Sequence, residues 1–209
     1  GKGASAIFLA RRFGCEVVGV DYGARNVAEA TRAAEEAGVA GLVSFQQGDA
    51  ERLSFEDGEF DAVICECAYC TFPDKAAAAR EFHRVLRPGG SVGLSDLTRN
   101  GELGPELQTL LAWVACLGDA RPVEEYSLYL RDSGFAEIEI EPHDEALGEM
   151  VRDVRTKLLG AELMAKLGKI VLPVGDLGQA KHMARAATKA VDQGQLGYSL
   201  MLARRIGQG

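Results

Sequence analysis

The sequence carries less positive than negative charge, which disfavours one class of partner. Of its 209 residues, 23 are Lys or Arg and 31 are Asp or Glu, giving a net charge of -8 at pH 7. The basic residues are scattered along the chain, whereas proteins that bind nucleic acids gather them in a patch or stripe. We therefore expect a small-molecule substrate and no nucleic acid as partner, with a homodimer left open as the assembly.

Long apolar runs are also missing from the sequence. No run approaches the roughly 18 residues that a membrane span requires. The first residues lack the charged and then apolar layout of a secretory signal. We expect a soluble, cytoplasmic protein that has no membrane partner.

Cysteine is scarce and odd in number, which argues against a disulfide framework. The five are Cys15, Cys65, Cys67, Cys70 and Cys116. A structural zinc site takes four ligands, and no second Cys or His pair lies at finger-like spacing from the central three, so we expect no metal site. The thiols are either small packing residues or soft ligands for a substrate.

Short apolar segments alternate with helical patterns, which favours an α/β fold with a doubly wound, mostly parallel sheet. Many segments end at glycine, as Gly14, Gly38 and Gly134 do. The patterns predict helices over 4–13, 26–37, 75–86, 105–117 and 123–133. They predict strands over 16–21, 42–47, 60–65, 91–97, 138–141 and 198–204.

A long helical segment separates the last two predicted strands. Its apolar residues recur at three- and four-residue steps, which predicts one buried and one charged face: Leu147, Met150, Val151, Val154, Leu158 and Leu159. We expect a core domain over 1–142, a helical cap over 143–195 that covers the ligand-bearing edge of the sheet, and a final core strand within 196–209.

Four features fall where predicted strands end or a first helix begins. They are the turn Gly1-Lys2-Gly3, Asp21, Gly48-Asp49-Ala50 and Cys65-Glu66-Cys67. Ligands of open α/β sheets bind outside the carboxyl ends of the strands, so these features would line one crevice. A glycine turn lets a ligand approach backbone amides, and a carboxylate at a strand end can accept hydrogen bonds from both ribose hydroxyls. A strand should feed this turn, so we expect a further segment before Gly1.

Together these motifs resemble the class I S-adenosylmethionine-dependent methyltransferases over essentially the whole chain. The resemblance rests on Gly-Lys-Gly-Ala-Ser from Gly1, Val-Val-Gly-Val-Asp up to Asp21, Gln-Gly-Asp-Ala up to Ala50, Phe-Asp-Ala-Val-Ile from Phe60 and Arg-Val-Leu-Arg-Pro-Gly-Gly up to Gly90. A nicotinamide-binding Rossmann domain would also explain Gly1, Gly3 and Asp21, but it calls neither for Gly48-Asp49-Ala50 nor for Pro88-Gly89-Gly90.

The resemblance implies a Rossmann-like fold of seven strands whose last strand is antiparallel, and S-adenosylmethionine as cofactor. It implies that Gly1 and Gly3 lie against the methionine part of the cofactor and that Asp21 holds the ribose. Tyr22 would pack on the adenine, Asp49 and Ala50 would meet its edge, and Cys65 would line the same crevice.

A narrower resemblance is to the arsenite methyltransferases. It is carried by Cys67 before Pro-Asp-Lys, by Leu94-Ser95-Asp96, and by Cys116 in Cys-Leu-Gly-Asp-Ala. It implies that Cys116 is an arsenic-binding thiolate, and soft trivalent arsenic suits thiolate ligands. For Cys67, Cys70 and Cys116, pocket ligand and packing residue both stay open. Glu66 is the acid predicted beside the transferred methyl group.

Three functions follow from these residues. The first is a methyltransferase of a small molecule, with arsenite as the most specific acceptor. The second is a methyltransferase of an organic acceptor, in which the cysteines only pack and a general base is needed if the acceptor carries a proton. The third is a nucleoside-binding module without turnover.

Overall fold

The computed structural model describes residues 1–109, 119–170 and 177–207. The chain divides into two compact units, Gly1–Asp57 and Gly58–Gly209. Each unit has its own sheet and its own helices. The predicted division into a core and a cap stays a prediction.

The first unit holds two helices and two parallel strands. They are α1 (Ala4–Phe13), β1 (Val17–Asp21), α2 (Ala24–Glu36) and β2 (Val43–Gln47). The strands pair in register from Val17 opposite Val43 to Asp21 opposite Gln47. Small side chains of both helices pack on this pair, so that Ala10, Ala34 and Val43 form a buried cluster.

The ring of Phe45 leaves no room for a side chain at two positions of the first unit, and both are glycine. A Cβ atom at Gly3 would lie 2.5 Å from the Phe45 ring, and one at Gly19 would lie 2.4 Å from it. Gly3 also has a left-handed backbone with φ of 77° where it precedes α1, a conformation that glycine adopts without steric cost. The turn before α1 therefore needs glycine for both space and conformation.

In its described residues, the second unit holds a mixed sheet and four helices. Its elements are β3 (Phe60–Glu66), α3 (Lys75–Val85), β4 (Leu86–Arg99), α4 (Val123–Asp132), β5 (Phe135–Pro142), α5 (Asp144–Lys166), α6 (Leu177–Asp192) and β6 (Leu196–Arg205), with 3₁₀ turns at Tyr69–Thr71 and Pro105–Leu107.

The strand order of this sheet is β3-β4-β6-β5. Strands β3 and β4 are parallel, and β6 is antiparallel to both β4 and β5. Three strands therefore run one way and the last strand runs against them, which confirms the predicted α/β class and the antiparallel last strand. The described residues hold six strands in two sheets, so a seven-stranded sheet stays a prediction.

The helix predicted over 75–86 is found as α3, but the strand predicted over 91–97 begins earlier than expected. Strand β4 begins at Leu86 and continues through Pro88-Gly89-Gly90. The pairing with β3 shifts there, from Phe60 opposite Leu86 to Ala62 opposite Ser91. Proline has no N–H for the ladder and Gly89 has a φ of 82°, so the segment bulges within the strand instead of ending it.

The helix predicted over 105–117 is not found in the part that the structure describes. Pro105–Leu107 is a single 3₁₀ turn, and the Gln108 side chain donates to the carbonyl of Leu103 at 2.6 Å. The remainder of that prediction, residues 110–117, lies outside the described residues.

The helical segment between the last two strands is confirmed as α5 and α6. Leu147 and Val151 of α5 join the buried cluster that contains Leu97 and Leu196. The prediction of a buried face along all of α5 is wrong, because Met150, Val154 and Leu159 are each about half exposed. At 23 residues, α5 is about 35 Å long, and beyond Val151 none of its described residues is fully buried.

Across the part of the chain that the structure describes, the helices are too short or too polar to cross a lipid bilayer.

Candidate functional site

Asp21 is the last residue of β1, and its carboxylate lies beside the glycine turn. The amino group of Gly1 contacts Oδ2 of Asp21. The amide N–H of Gly23 and the side-chain amide of Asn26 donate to Oδ1 at 2.8 and 3.0 Å. The structure thus brings together the turn and the acid that the sequence analysis paired.

The surroundings of Asp21 keep its carboxylate ionised. Partial burial raises its pKa, but the hydrogen bonds from Gly1, Gly23 and Asn26 outweigh this effect. The pKa of Asp21 therefore lies below its ordinary value. An ionised carboxylate that still reaches solvent can accept hydrogen bonds from a diol.

Tyr22 and Asp49 lie at the strand ends of the same unit. Tyr22 is 80% exposed, and its carbonyl accepts from the Gln47 side chain at 3.1 Å. The N–H of Gly48 donates to the carbonyl of Asp21 at 3.1 Å, which ties the two strand ends together. Asp49 accepts the Glu51 N–H at 2.9 Å in a local turn, and Ala50 between them is half-buried.

The second unit places another group of polar residues at the end of β3, hereafter the β3 tip (Glu66 and Cys67). Both residues are exposed. Cys67 has a φ of 48°, in the left-handed region, and its N–H donates to the carbonyl of Ser95 at 2.8 Å. Such a backbone costs a non-glycine residue about 1–2 kcal/mol. Strained residues of this kind often mark functional sites.

Tyr198 of β6 reaches the β3 tip from the other side of β4. Its hydroxyl oxygen lies 3.5 Å from Sγ of Cys67 and is hydrogen-bonded to the Ser95 side chain. Burial, together with the neighbouring Cys67, raises the pKa of Tyr198 to about 12. The hydroxyl therefore stays protonated at neutral pH and can donate a hydrogen bond.

The other cysteines near the β3 tip have different surroundings. Cys65 is half-buried in β3, and burial together with the charge of Asp96 raises its pKa above the ordinary value. Cys70 is fully buried, and both its amide and its thiol are hydrogen-bonded to Asp96. These contacts favour packing over ligand binding for Cys70. Cys116 lies outside the described residues.

Asp96 is a fully buried carboxylate near the end of β4. It accepts the Leu97 N–H at 2.8 Å in addition to the Cys70 amide. Burial raises its pKa above the ordinary value, against the effect of these hydrogen bonds and of the Lys75 charge. Lys75 is itself 5% exposed and donates to Asp119 at 2.6 Å.

Across 1–109, 119–170 and 177–207, no three His, Cys, Asp or Glu side chains come together in an arrangement that could hold a metal ion.

Comparison with known proteins identifies the family. A model described as a methyltransferase domain matches residues 1–94. An arsenite methyltransferase of Aquipseudomonas alcaligenes is 34% identical over 171 residues, which cover 74% of this chain and 49% of that protein. The chain belongs to the class I S-adenosylmethionine-dependent methyltransferases. The predicted family is thereby confirmed.

The chain is also similar to relatives that bear other substrate names. A sarcosine/dimethylglycine N-methyltransferase of Halorhodospira halochloris is 31% identical over 160 residues, covering 76% of this chain and 57% of that protein. The structure of Haemonchus contortus phosphoethanolamine N-methyltransferase 2 in complex with S-adenosyl-L-methionine matches with a TM-score of 0.81 at 20% identity, over 99% of this chain and 47% of that chain. The chain spans about half the length of the arsenite methyltransferase that it matches.

Sequence reasoning assigned no site role to two residues beside the β3 tip, Ser95 and Tyr198. Tyr198 lies 131 positions after Cys67. It arrives there because β6 is antiparallel to β4, with Tyr198 paired opposite Leu97. No local sequence pattern predicts this strand pairing. The Leu94-Ser95-Asp96 motif was noted in the sequence, but its burial and contacts were not deducible from it.

Proposed function

We propose that this methyltransferase binds S-adenosylmethionine at the carboxyl ends of β1 and β2 and transfers a methyl group to a small molecule. The observation that carries the proposal is the position of the Asp21 carboxylate at the end of β1 and beside the glycine turn, where Gly23 and Asn26 hold it by hydrogen bonds. An acid in this position suits the two hydroxyls of a ribose. The family membership supports the same cofactor.

The remaining cofactor contacts in the proposal follow from the strand ends. Gly1 and Gly3 are assigned to the methionine part of the cofactor, because a glycine turn before a helix lets a ligand approach the backbone amides. The exposed ring of Tyr22 is assigned to the adenine face, and Asp49 with Ala50 to the adenine edge. Cys65 is assigned to the cofactor as well, as the resemblance to the family implies.

The acceptor side is assigned to the β3 tip. When bound, S-adenosylmethionine supplies a methyl group on a positively charged sulfur, which is already activated. The chain therefore has to hold the acceptor in line and exclude water. Glu66 is exposed at this tip and is assigned to take a proton from an acceptor that carries one. The Tyr198 hydroxyl is placed to donate a hydrogen bond to the acceptor.

Trivalent arsenic is the finer proposal for the acceptor. It is supported by the exposed thiol of Cys67 at the β3 tip and by the similarity to an arsenite methyltransferase. Cys116 is proposed as a second thiolate. Cys70 is left out of the ligand set because its thiol is buried against Asp96. An arsenic lone pair needs no base, so Glu66 would then be dispensable.

Calorimetry with S-adenosylmethionine and S-adenosylhomocysteine tests the cofactor half of the proposal. We expect both to bind the full-length protein and to bind Asp21→Asn more weakly. Absence of binding to the wild-type protein would refute the methyltransferase proposal.

A methyl-transfer assay on arsenite and on a panel of amines and phenols tests the acceptor. We expect arsenite methylation that is lost in Cys67→Ser and Cys116→Ser and kept in Cys15→Ser, which replaces an exposed cysteine of the first unit. If the protein methylates an organic acceptor, and this activity is kept in the cysteine variants but lost in Glu66→Gln, the organic compound and not arsenite is the acceptor. Cofactor binding with no transfer to any acceptor would identify a nucleoside-binding module.

A further inference from the structure

The loop after β3 is held by two consecutive residues of β4. At its start, the N–H of Cys67 donates to the carbonyl of Ser95 at 2.8 Å. At its end, the N–H of Cys70 donates to the carboxylate of Asp96 at 2.9 Å. The first attachment is an ordinary backbone hydrogen bond, whereas the second depends on one side chain. The conformation of this loop can therefore be changed by a substitution at Asp96.

The ionisable side chain of Asp96 is shielded from solvent. Its side chain is fully buried, and it is bonded to the Cys70 and Leu97 amides and to the Cys70 thiol. The ammonium group of Lys75 supplies the nearby positive charge. Lys75 is nearly buried as well, and it is fixed by Asp119 at 2.6 Å and by the carbonyl of Phe72 at 3.0 Å.

Stability alone does not account for these charges. Well-packed apolar residues commonly stabilise a core as much as a buried ion network does, because desolvation offsets most of the attraction. What the network adds is a directed restraint on one loop. That loop begins at Cys67, whose left-handed backbone persists only where its surroundings fix it.

We propose that Asp96 is a positioning residue that holds the β3 tip in the conformation required by the methyl acceptor, and that Lys75, which is paired with Asp119 and donates to the carbonyl of Phe72, supports the same loop. The inference rests on the proposed function, since it assigns the acceptor to this tip. Neither side chain is proposed to touch the acceptor. Both act through the loop that carries Glu66 and Cys67.

Cysteine labelling tests the restraint without any ligand. Cys67 is exposed and Cys70 is buried, while Cys65, half-buried within β3, is the reference for changes that affect the whole strand. In Asp96→Asn we expect Cys70 to react with a thiol reagent about tenfold faster relative to Cys65, because a hydrogen bond to a charged acceptor is stronger than one to a neutral amide. Asp61→Asn is the matched control, because Asp61 is exposed at the other end of β3. Site-resolved mass spectrometry measures both rates.

Lys75 variants provide a second and independent measurement. We expect Lys75→Met to raise the Cys70-to-Cys65 labelling ratio and Lys75→Arg, which keeps the charge, to restore most of the protection. If Asp96→Asn does not fold, this pair carries the comparison. An unchanged ratio in the variants that fold, or equal increases at Cys70 and Cys65, would overturn the proposal.

Steady-state kinetics then separates positioning from catalysis. We expect Asp96→Asn to raise the KM for the acceptor about tenfold, with the dissociation constant for S-adenosylmethionine unchanged. Faster labelling of Cys70 with an unchanged acceptor KM would show a merely structural restraint and overturn the positioning role. Failure of the wild-type protein to bind S-adenosylmethionine would instead refute the proposed function. The labelling rates would still show whether Asp96 restrains the loop.

Discussion

Asp21 and Asp96 are two carboxylates near the ends of parallel strands, one in each unit, and they have opposite surroundings. Each accepts a backbone N–H from a nearby loop, from Gly23 at 2.8 Å and from Cys70 at 2.9 Å. The Asp21 side chain is 23% exposed, whereas Asp96 is fully buried. The pKa of Asp21 is lowered and that of Asp96 is raised.

The comparison shows that burial decides what a strand-end carboxylate can do. Asp21 accepts from Gly23 and Asn26 through Oδ1, its Oδ2 contacts Gly1 at the glycine turn, and part of its side chain still reaches solvent. Asp96 uses both oxygens to hold neighbouring segments of the chain. One residue is therefore suited to binding and the other to fixing a loop.

The largest expected difference is in stability. Asp96→Ala leaves the buried amides of Cys70 and Leu97 without an acceptor, so we expect a loss of about 2–6 kcal/mol. Asp21→Ala exposes its former partners to water, and we expect a loss of about 1 kcal/mol or less. Urea denaturation followed by circular dichroism measures both. Equal losses would remove the distinction between the two acids.

The next effect concerns the turn beside Asp21, which depends on glycine and not on buried charge. Gly3→Ala should cost about 1–2 kcal/mol for the left-handed backbone and a further 1–3 kcal/mol or so for the collision with Phe45. Gly14→Ala is the control, because Gly14 is also left-handed but has no atom within 4 Å of an added Cβ. The same denaturation assay should show Gly3→Ala as clearly the less stable variant.

Cofactor affinity should depend on Asp21 and not on Asp96, whereas stability should depend more on Asp96. Asp21→Asn removes the charge that accepts the ribose hydroxyls, so we expect about tenfold to a hundredfold weaker binding of S-adenosylmethionine. Calorimetry on Asp96→Asn and on Glu35→Gln, an exposed residue of α2, should give the wild-type affinity. If Asp96→Asn bound S-adenosylmethionine more weakly than Asp21→Asn, the assignment of Asp21 to the cofactor and of Asp96 to the loop would be wrong.

The smallest effect is the dependence of stability on pH. Because the folded pKa of Asp96 lies above its unfolded value near 3.9, the folded state holds more protons in the window just above that value. The Asp96 contribution to stability therefore falls as the pH rises through the window. The lowered pKa of Asp21 has the reverse sign, so its contribution is present above the unfolded pKa and is lost as the pH falls through the folded one.

Denaturation of the wild-type protein and of Asp96→Asn, from about pH 4 to about pH 7, checks the sign. We expect the wild-type protein to lose free energy of unfolding relative to the variant as the pH rises. A relative gain would mean that Asp96 is stabilised as the anion.

Several elements could be predicted from the sequence because their signals are local. The helix predicted over 4–13 is found as Ala4–Phe13, since it follows Gly3 and ends at Gly14, and both glycines are left-handed. Asp21 was predicted to end a strand, and it does. The bulge in β4 was missed because Pro88-Gly89-Gly90 is typical of a turn and equally of a bulge. The exposed outer part of α5 was missed because its apolar spacing resembles that of a buried helix.

By itself, the sequence determined the alternation of strands and helices, the glycine turn and the acid at the end of β1. These depend on backbone conformation and on hydrophobic periodicity over a few residues. Only the tertiary structure decided that Asp96 and Cys70 are buried together and that Tyr198 reaches Cys67. Burial and strand pairing join residues far apart in the chain, and no local pattern records which of two similar carboxylates will be closed off from water.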